Sequence, residues 1–291
     1  MANGLAKLQS IDRRWIFLLI AIGTLIPIVL PIGFPVTITP PVKSIYDLIE
    51  TFGPGDVVIL SYDYGPTTGA ENDPMADAIL RHCFSRDVKV VALALYPLGG
   101  LTALTNSLNR VSAEFPELEY GVDYVNLGYK DGGQASMKLL ADDFAKAFPG
   151  DTNGRPLAEI PLMQQIKGAR EAKLAVSIAT GIIGEWWANL INAQFGLPVA
   201  VGCTAVSAPK YYAYLEAGQM IGLIGGLKGA SEYERMVKDG YPATREAYTN
   251  PLLQTASKGM DAQTIDHLIV IAFIVIGNIA YFASRRAKAK A

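Results

Sequence analysis

The chain has 291 residues, a formal net charge of -2 and a hydrophobic fraction of 51%. This length allows one substantial globular domain or two small ones, and the hydrophobic fraction is high for a wholly soluble protein. The charge leaves no basic excess to neutralise phosphates, which argues against nucleic acid as a partner.

The first element is an uncharged apolar run from Trp15 to Phe34. It matches the about 20 residues that a helix needs to cross a bilayer, so we predict a cytoplasmic segment 1–14 and a transmembrane helix 15–34. A cleaved signal peptide is the competing interpretation, but no small-x-small cleavage site follows the run. Pro27, Pro31 and Pro35 recur at every fourth position and predict a bend in its outer half.

A second apolar run lies near the other end, from Leu268 to Ala283, and predicts a transmembrane helix over 264–284. Basic residues precede the first run and fill the tail 285–291. By the positive-inside rule both termini are cytoplasmic, and residues 35–263 form an extracytoplasmic domain. Membrane lipid is therefore a predicted partner of an integral membrane protein with two spans.

The central region predicts an α/β domain, because short apolar strands alternate with helical patterns. The predicted strands are Val57–Tyr64, Lys89–Tyr96, Asp123–Tyr129, Lys173–Ala179 and Pro198–Ala205. The predicted helices are Val42–Phe52, a segment from Pro74 to Phe84, a segment from Gly100 to Val111, Gln134–Phe148 and one that contains Trp186. This order indicates a doubly wound, mainly parallel sheet that resembles Rossmann-like and flavodoxin-like domains at the level of fold alone.

A glycine-rich stretch after the fifth strand is predicted as a helix over Gly222–Ala230. Gly222 and Gly226 form one GxxxG spacing, and Gly225 and Gly229 form another, which lets a second backbone approach closely. Packing on the domain's own sheet, a subunit interface and contact with the membrane surface are all open. The amphipathic rings of Tyr211 and Tyr212 suit an interface as well.

Polar side chains stand where the strands end, which is where parallel sheets bind ligands. The candidate ligand-binding residues are Asp63, Tyr64, Tyr96, Tyr129, Lys130, Asp131, Thr180 and Thr204, along with Glu71, Asn72 and Asp73 in the first crossover. The alternative is that they form turns and helix caps, because Asp and Thr are common there.

No catalytic motif occurs: HExxH, GxSxG and the Walker A sequence are all missing. His82 and His267 are the two histidines, and neither has the surroundings of a catalytic base. Glu71 and Asp73 lack the spaced oxygen ligands of a calcium loop, and Cys83 and Cys203 form no CxxC pair. We therefore predict no metal, no cofactor and two buried free thiols, although one disulfide stays open.

Two classes of function follow. The first is a membrane-anchored, noncatalytic binding or scaffold protein that self-associates as a homo-oligomer and also contacts other membrane proteins. The second is an enzyme or small-ligand-binding module at the strand ends. Convergence of the strand-end side chains on one cavity would favour the second class.

Overall fold

The computed structural model describes residues 12–242, 246, 248–250 and 253–288. The chain divides into two compact units: an α/β unit over Val36–Ala256, and a helical unit whose described residues run up to Pro35 and from Ser257 onward. Most of the predicted cytoplasmic segment 1–14, and the last residues of the basic tail, lie outside the described residues.

The α/β unit is built on a six-stranded, fully parallel sheet in the order β3-β2-β1-β4-β5-β6. Its strands are β1 Val57–Asp63, β2 Lys89–Ala94, β3 Tyr124–Tyr129, β4 Leu174–Ala179, β5 Val199–Cys203 and β6 Gly222–Gly225. This is the strand order of the Rossmann type, and it differs from the flavodoxin-like order 2-1-3-4-5. The predicted α/β class with a parallel sheet is confirmed.

Helices connect the strands and cover both faces of the sheet. In chain order they are α1 Arg13–Val29, α2 Pro40–Glu50, α3 Gly69–Ser85, α4 Gly100–Ser112, α5 Gly133–Asp142, α6 Phe144–Ala147, α7 Pro161–Gln165, α8 Ile183–Trp186, α9 Ala193–Phe195, α10 Ala208–Glu216, α11 Gly226–Gly240 and α12 Thr255–Lys288. A π-helical turn, Trp187–Asn192, joins α8 to α9.

The core has two layers because successive side chains of a strand point to opposite faces. Val58, Leu60 and Tyr62 of β1 pack with α2, α3, α4 and α11. Val57 and Ile59 pack on the other face, with α5, α6, α7, the π-helical turn and α10. Strands buried on both faces read as continuous apolar runs, which is why β1 and β2 were predictable.

The predicted helix over Gly222–Ala230 is wrong. Gly222–Gly225 is the edge strand β6, and the helix begins at Gly226, whose φ of +62° suits a glycine. Pairing of β6 with β5 outweighs the helical spacing of the glycines. The close backbone approach occurs within the chain, since a Cβ at Gly222 would lie 2.6 Å from the carbonyl oxygen of Pro41.

We expect Gly222→Ala to destabilise the α/β unit by about 1–3 kcal/mol, because its Cβ would also lie 2.3 Å from Cγ1 of Ile45. The measurement is chemical unfolding of the full chain in detergent. Gly53→Ala is the matched control, because among the described residues no atom beyond its chain neighbours lies within 4 Å of its added Cβ. Equal unfolding midpoints for the two variants would contradict this packing role.

The helical unit contains α1 and α12. The stretch Thr255–Arg285 is long and apolar enough to cross a membrane, judged by length and composition, and only 6% of its most apolar 18-residue window is buried. With 34 residues, α12 is about 51 Å long, whereas the hydrocarbon core of a bilayer is about 30 Å thick. Only 17 residues form α1, which is at the short end of the range for a span, so crossing by α1 stays a prediction.

The predicted helix to Phe34 ends early, at Val29. Leu30 has φ -129° and ψ 91°, an extended conformation that the following Pro31 favours. The backbone N–H groups of Ile32, Gly33 and Phe34 then donate to the carboxylate of Asp261, at 2.9, 2.8 and 3.1 Å. This carboxylate satisfies backbone donors that no longer belong to a helix.

Candidate functional site

The strand order reverses between β1 and β4, and ligands of such sheets bind beyond the carboxyl ends of the strands at this point. Asp63 ends β1 there, and the N–H of Thr180, just after β4, donates to the carbonyl oxygen of Asp63 at 2.9 Å. The carboxyl edge of the sheet is therefore the first place to look for a functional site.

Asp63 has no exposed surface, and its carboxylate accepts four hydrogen bonds. The donors are Ser61 Oγ at 2.8 Å, Leu95 N at 3.0 Å, Ser177 Oγ at 2.6 Å and Trp187 Nε1 at 3.0 Å. Burial raises the pKa of Asp63 to about 6, although the hydrogen bonds from Ser177 and Ser61 oppose the rise. The side chain joins β1, the end of β2, β4 and the π-helical turn, and has no surface to offer a ligand.

Among the predicted residues, Asp73 lines a cavity, and so does Tyr64. Its hydroxyl donates to Oδ1 of Asp73 at 2.6 Å, and burial raises the pKa of Tyr64 well above its usual value. Burial also raises the pKa of Asp73, against the opposing effect of this hydrogen bond. The cavity, of about 190 Å³, lies between α3 and α4 and is also lined by Arg110.

The other predicted residues lie outside the lining of this cavity, and several of them make local contacts. Lys130 donates its backbone N–H to Ala94, the side chain of Asp131 accepts from the N–H of Gly132, and Thr204 donates to Ser207. Tyr96 is half-buried beside Gly65, and Tyr129 is the half-buried last residue of β3. The set therefore does not converge on this cavity.

The N-terminus of α3 contains two carboxylates, which disfavour the binding of an anion there. Glu71 accepts from the N–H of Ala205 at 2.9 Å, and Asp73 lies half a turn further along the helix. A phosphate at this helix N-terminus would face both negative charges, which opposes the binding of a dinucleotide in the usual Rossmann manner. Within the described residues, no three His, Cys, Asp or Glu side chains cluster closely enough to hold a metal.

A network of polar side chains beside the cavity was not predicted from the sequence. Arg110 donates to both oxygens of Asp77, at 2.7 and 2.8 Å, and Ser107 donates to Asp77 at 2.6 Å. Tyr62 donates to Ser107 at 2.9 Å. The sequence carried one signal for this network, which is the spacing of its residues. Positions 69, 73 and 77 lie on one face of α3, and positions 102, 106 and 110 lie on one face of α4, because residues four apart share a helix face.

Exposed aliphatic side chains stand on the same carboxyl edge. Leu98 follows β2 and is 73% exposed, Ile182 follows β4 and is 52% exposed, and Val206 follows β5 and is 91% exposed. Leu101, at the start of α4, is also exposed. Because neighbouring strands are about 4.8 Å apart, the ends of β2 and β5 lie within about 15 Å of each other.

The predicted interface residues are mostly inside the fold. Gly222, Gly226, Gly229 and Tyr211 are buried, and Gly225 is half-buried, whereas Tyr212 of α10 is exposed.

Comparison of the chain with protein-family models, with curated proteins and with solved structures gave no match.

Proposed function

We propose that the protein is a membrane-anchored, noncatalytic binding protein that assembles with copies of itself through the carboxyl edge of its sheet. The observation that carries the proposal is the set of exposed aliphatic side chains Leu98, Ile182 and Val206 on this edge. Enzymes of this architecture place polar, reactive groups at these positions, and exposed apolar clusters are typical of interaction sites.

A noncatalytic role is supported by the burial and the hydrogen bonds of the polar side chains at the strand ends. Asp63 is fully buried and already accepts four hydrogen bonds, and Asp131 and Thr204 satisfy nearby turns. None of these groups pairs with a histidine or another carboxylate in the arrangement of a general acid and base.

A membrane anchor favours a second copy of the chain as the partner. Helix α12 would hold copies in one plane, which raises their effective concentration and lets a modest apolar contact suffice. A net charge of -2 adds little repulsion between copies. The proposal keeps α1 as a second span, both termini in the cytoplasm, and the α/β unit outside, where other membrane proteins also meet it.

The test is oxidative cross-linking in native membranes of Val206→Cys, with Leu139→Cys of α5 as the matched control, since both residues are exposed. We expect a disulfide-linked dimer to form at least tenfold faster for Val206→Cys. The wild-type thiols Cys83 and Cys203 are buried and give a low background.

The same Val206→Cys chain reports the orientation. A thiol reagent that cannot cross membranes should label it from outside intact, wall-free cells. Equal cross-linking rates for the two cysteine variants would contradict the edge interface, and labelling that requires lysis would contradict the orientation.

The alternative function is a small-ligand-binding module or enzyme at the strand ends. The cavity at Tyr64, Asp73 and Arg110 favours this alternative, because it contains charges of both signs near the end of β1. It is separate from the exposed aliphatic residues that carry the first proposal, so one protein can have both.

A further inference from the structure

The cavity between α3 and α4 is lined by two regularly spaced sets of side chains. Helix α3 contributes Gly69 and Asp73, and helix α4 contributes Thr102, Asn106 and Arg110. Residues four apart lie on one face of a helix, so both sets point into the same space. A second cavity of about 270 Å³ adjoins it and is lined by Gly69, Asp73 and Arg110 as well.

Arg110 is held rigidly at this cavity. Its Nε and Nη2 atoms donate to the two oxygens of Asp77 in a bidentate pair, and Ser107 fixes Asp77 from the other side. Within the described residues, nothing accepts from Nη1 of Arg110. The guanidinium therefore presents preorganised N–H donors to the cavity, in a geometry suited to a carboxylate.

Asp73 provides the opposite charge. Its Oδ1 accepts from Tyr64, whereas Oδ2 has no hydrogen-bond donor among the described residues. Asp73 forms no ion pair with Arg110, although both side chains line the same cavity. Asp73 is half-buried and Arg110 is exposed. Two unlike charges that line one cavity without touching leave a gap that a ligand with both charges would fill.

We propose that this cavity binds a small zwitterion of the α-amino acid class, with its carboxylate on Arg110 and its ammonium group on Asp73. Asn106 and Thr102 supply an amide and a hydroxyl beside these two charges, to accept from the ammonium group or donate to the carboxylate. Such a ligand is bound by charge-assisted hydrogen bonds at both ends, which neither an amine nor a carboxylate can form alone.

The size of the cavity limits the ligand. A volume of about 190 Å³ corresponds to about six water molecules, below the about 300–1,000 Å³ of sites for drug-sized ligands. Gly69 and Gly99, which also line the space, have no side chains to fill it. Amino acids with small side chains fit the volume of this cavity by itself.

The experiment measures the thermal unfolding midpoint of the full chain in detergent with glycine, L-alanine or L-serine at 10 mM. Ethylamine and propionate at the same concentration are the single-charge controls. We expect at least one amino acid to raise the midpoint by several degrees, and both single-charge compounds to raise it by much less, because a ligand stabilises only the state that binds it.

Titration of two variants with the amino acid tests which residues bind it. We expect Asn106→Ala and Asp73→Asn each to weaken amino acid binding about tenfold or more, which is about 1.4 kcal/mol. Asn109→Ala is the matched control, because Asn109 is an exposed residue of the same helix that does not line the cavity. The proposal is overturned if none of the three amino acids shifts the midpoint, if ethylamine or propionate shifts it equally, or if Asn109→Ala weakens binding as much as Asn106→Ala.

Discussion

Asp63→Ala is expected to lower the free energy of unfolding by about 3 kcal/mol or more. The substitution leaves Ser61, Ser177, Trp187 and the N–H of Leu95 without their shared acceptor in a fully buried place. Buried donors that lose their partner cost far more than the same hydrogen bond contributes when made. Chemical unfolding of the full chain, followed by the fluorescence of its tryptophans, measures the effect.

Asp131→Ala is the control for that variant. Asp131 is also a strand-end carboxylate, but it is exposed and accepts from the adjacent N–H of Gly132. Its loss should change stability by no more than about 0.5 kcal/mol. If Asp63→Ala proves as stable as Asp131→Ala, Asp63 does not hold the strand ends together, and a role in ligand binding regains support.

The second large effect is the pH dependence that His82 gives to stability. His82 is buried in α3, where Nε2 lies 3.0 Å from Oε1 of Glu50 and Nδ1 lies 2.7 Å from the hydroxyl of Tyr233. The carboxylate of Glu50 can only accept, so in the neutral ring Nε2 donates to Glu50 and Nδ1 accepts from Tyr233. Burial lowers the pKa of His82 to about 4, and it outweighs the opposing attraction of Glu50.

The sign of this pH dependence follows from the protonation of His82 in the folded and in the unfolded chain. Between pH 6.5 and pH 4 the unfolded chain binds a proton on His82 and the folded chain does not, so stability falls as the pH falls. The contribution is fully present above pH 6.5, and its loss amounts to about 3 kcal/mol on reaching pH 4. The measurement is the difference in unfolding free energy between the wild type and His82→Gln across this range, where the contributions of groups that do not contact His82 cancel. A difference that does not change with pH would show that burial leaves the pKa of His82 at its unfolded value, which contradicts the account.

The sheet was predictable because its strands are buried on both faces. β1 and β2 are mainly apolar and are followed by glycine or proline signals, so local sequence and final environment agree. β6 was not predictable in the same way. It has four residues, and its glycines match a helix-packing spacing, so its pairing with β5 is a property of the assembled sheet.

The candidate site was less predictable because its contacts are distant in sequence. Asp63 meets Ser177 and Trp187 across 114 and 124 residues, and Asp77 meets Arg110 across 33. No local spacing reports such pairs. The general location at the carboxyl edge was expected from the parallel sheet. The cavity uses Tyr64, Asp73 and Arg110, of which Tyr64 and Asp73 were predicted as candidates and Arg110 was not.

The early end of α1 was not predicted either, because it depends on contacts that are distant in sequence. Pro31 was read as a bend in a continuing helix, because prolines inside membrane helices are tolerated when other groups satisfy the freed donors. Here those donors are satisfied by Asp261, which lies 227 to 229 residues further along the chain. The helix therefore ends instead of bending.

The mass of the detergent-solubilised particle tests the proposed self-assembly most directly. We would compare the wild type with the triple variant Leu98→Asp, Ile182→Asp and Val206→Asp by light scattering coupled to size-exclusion chromatography in a mild detergent. The account predicts a wild-type protein mass that is a multiple of the 31.2 kDa chain, and a folded triple variant at the mass of one chain. A wild-type particle of one chain, or a triple variant that keeps the assembled mass, would contradict it.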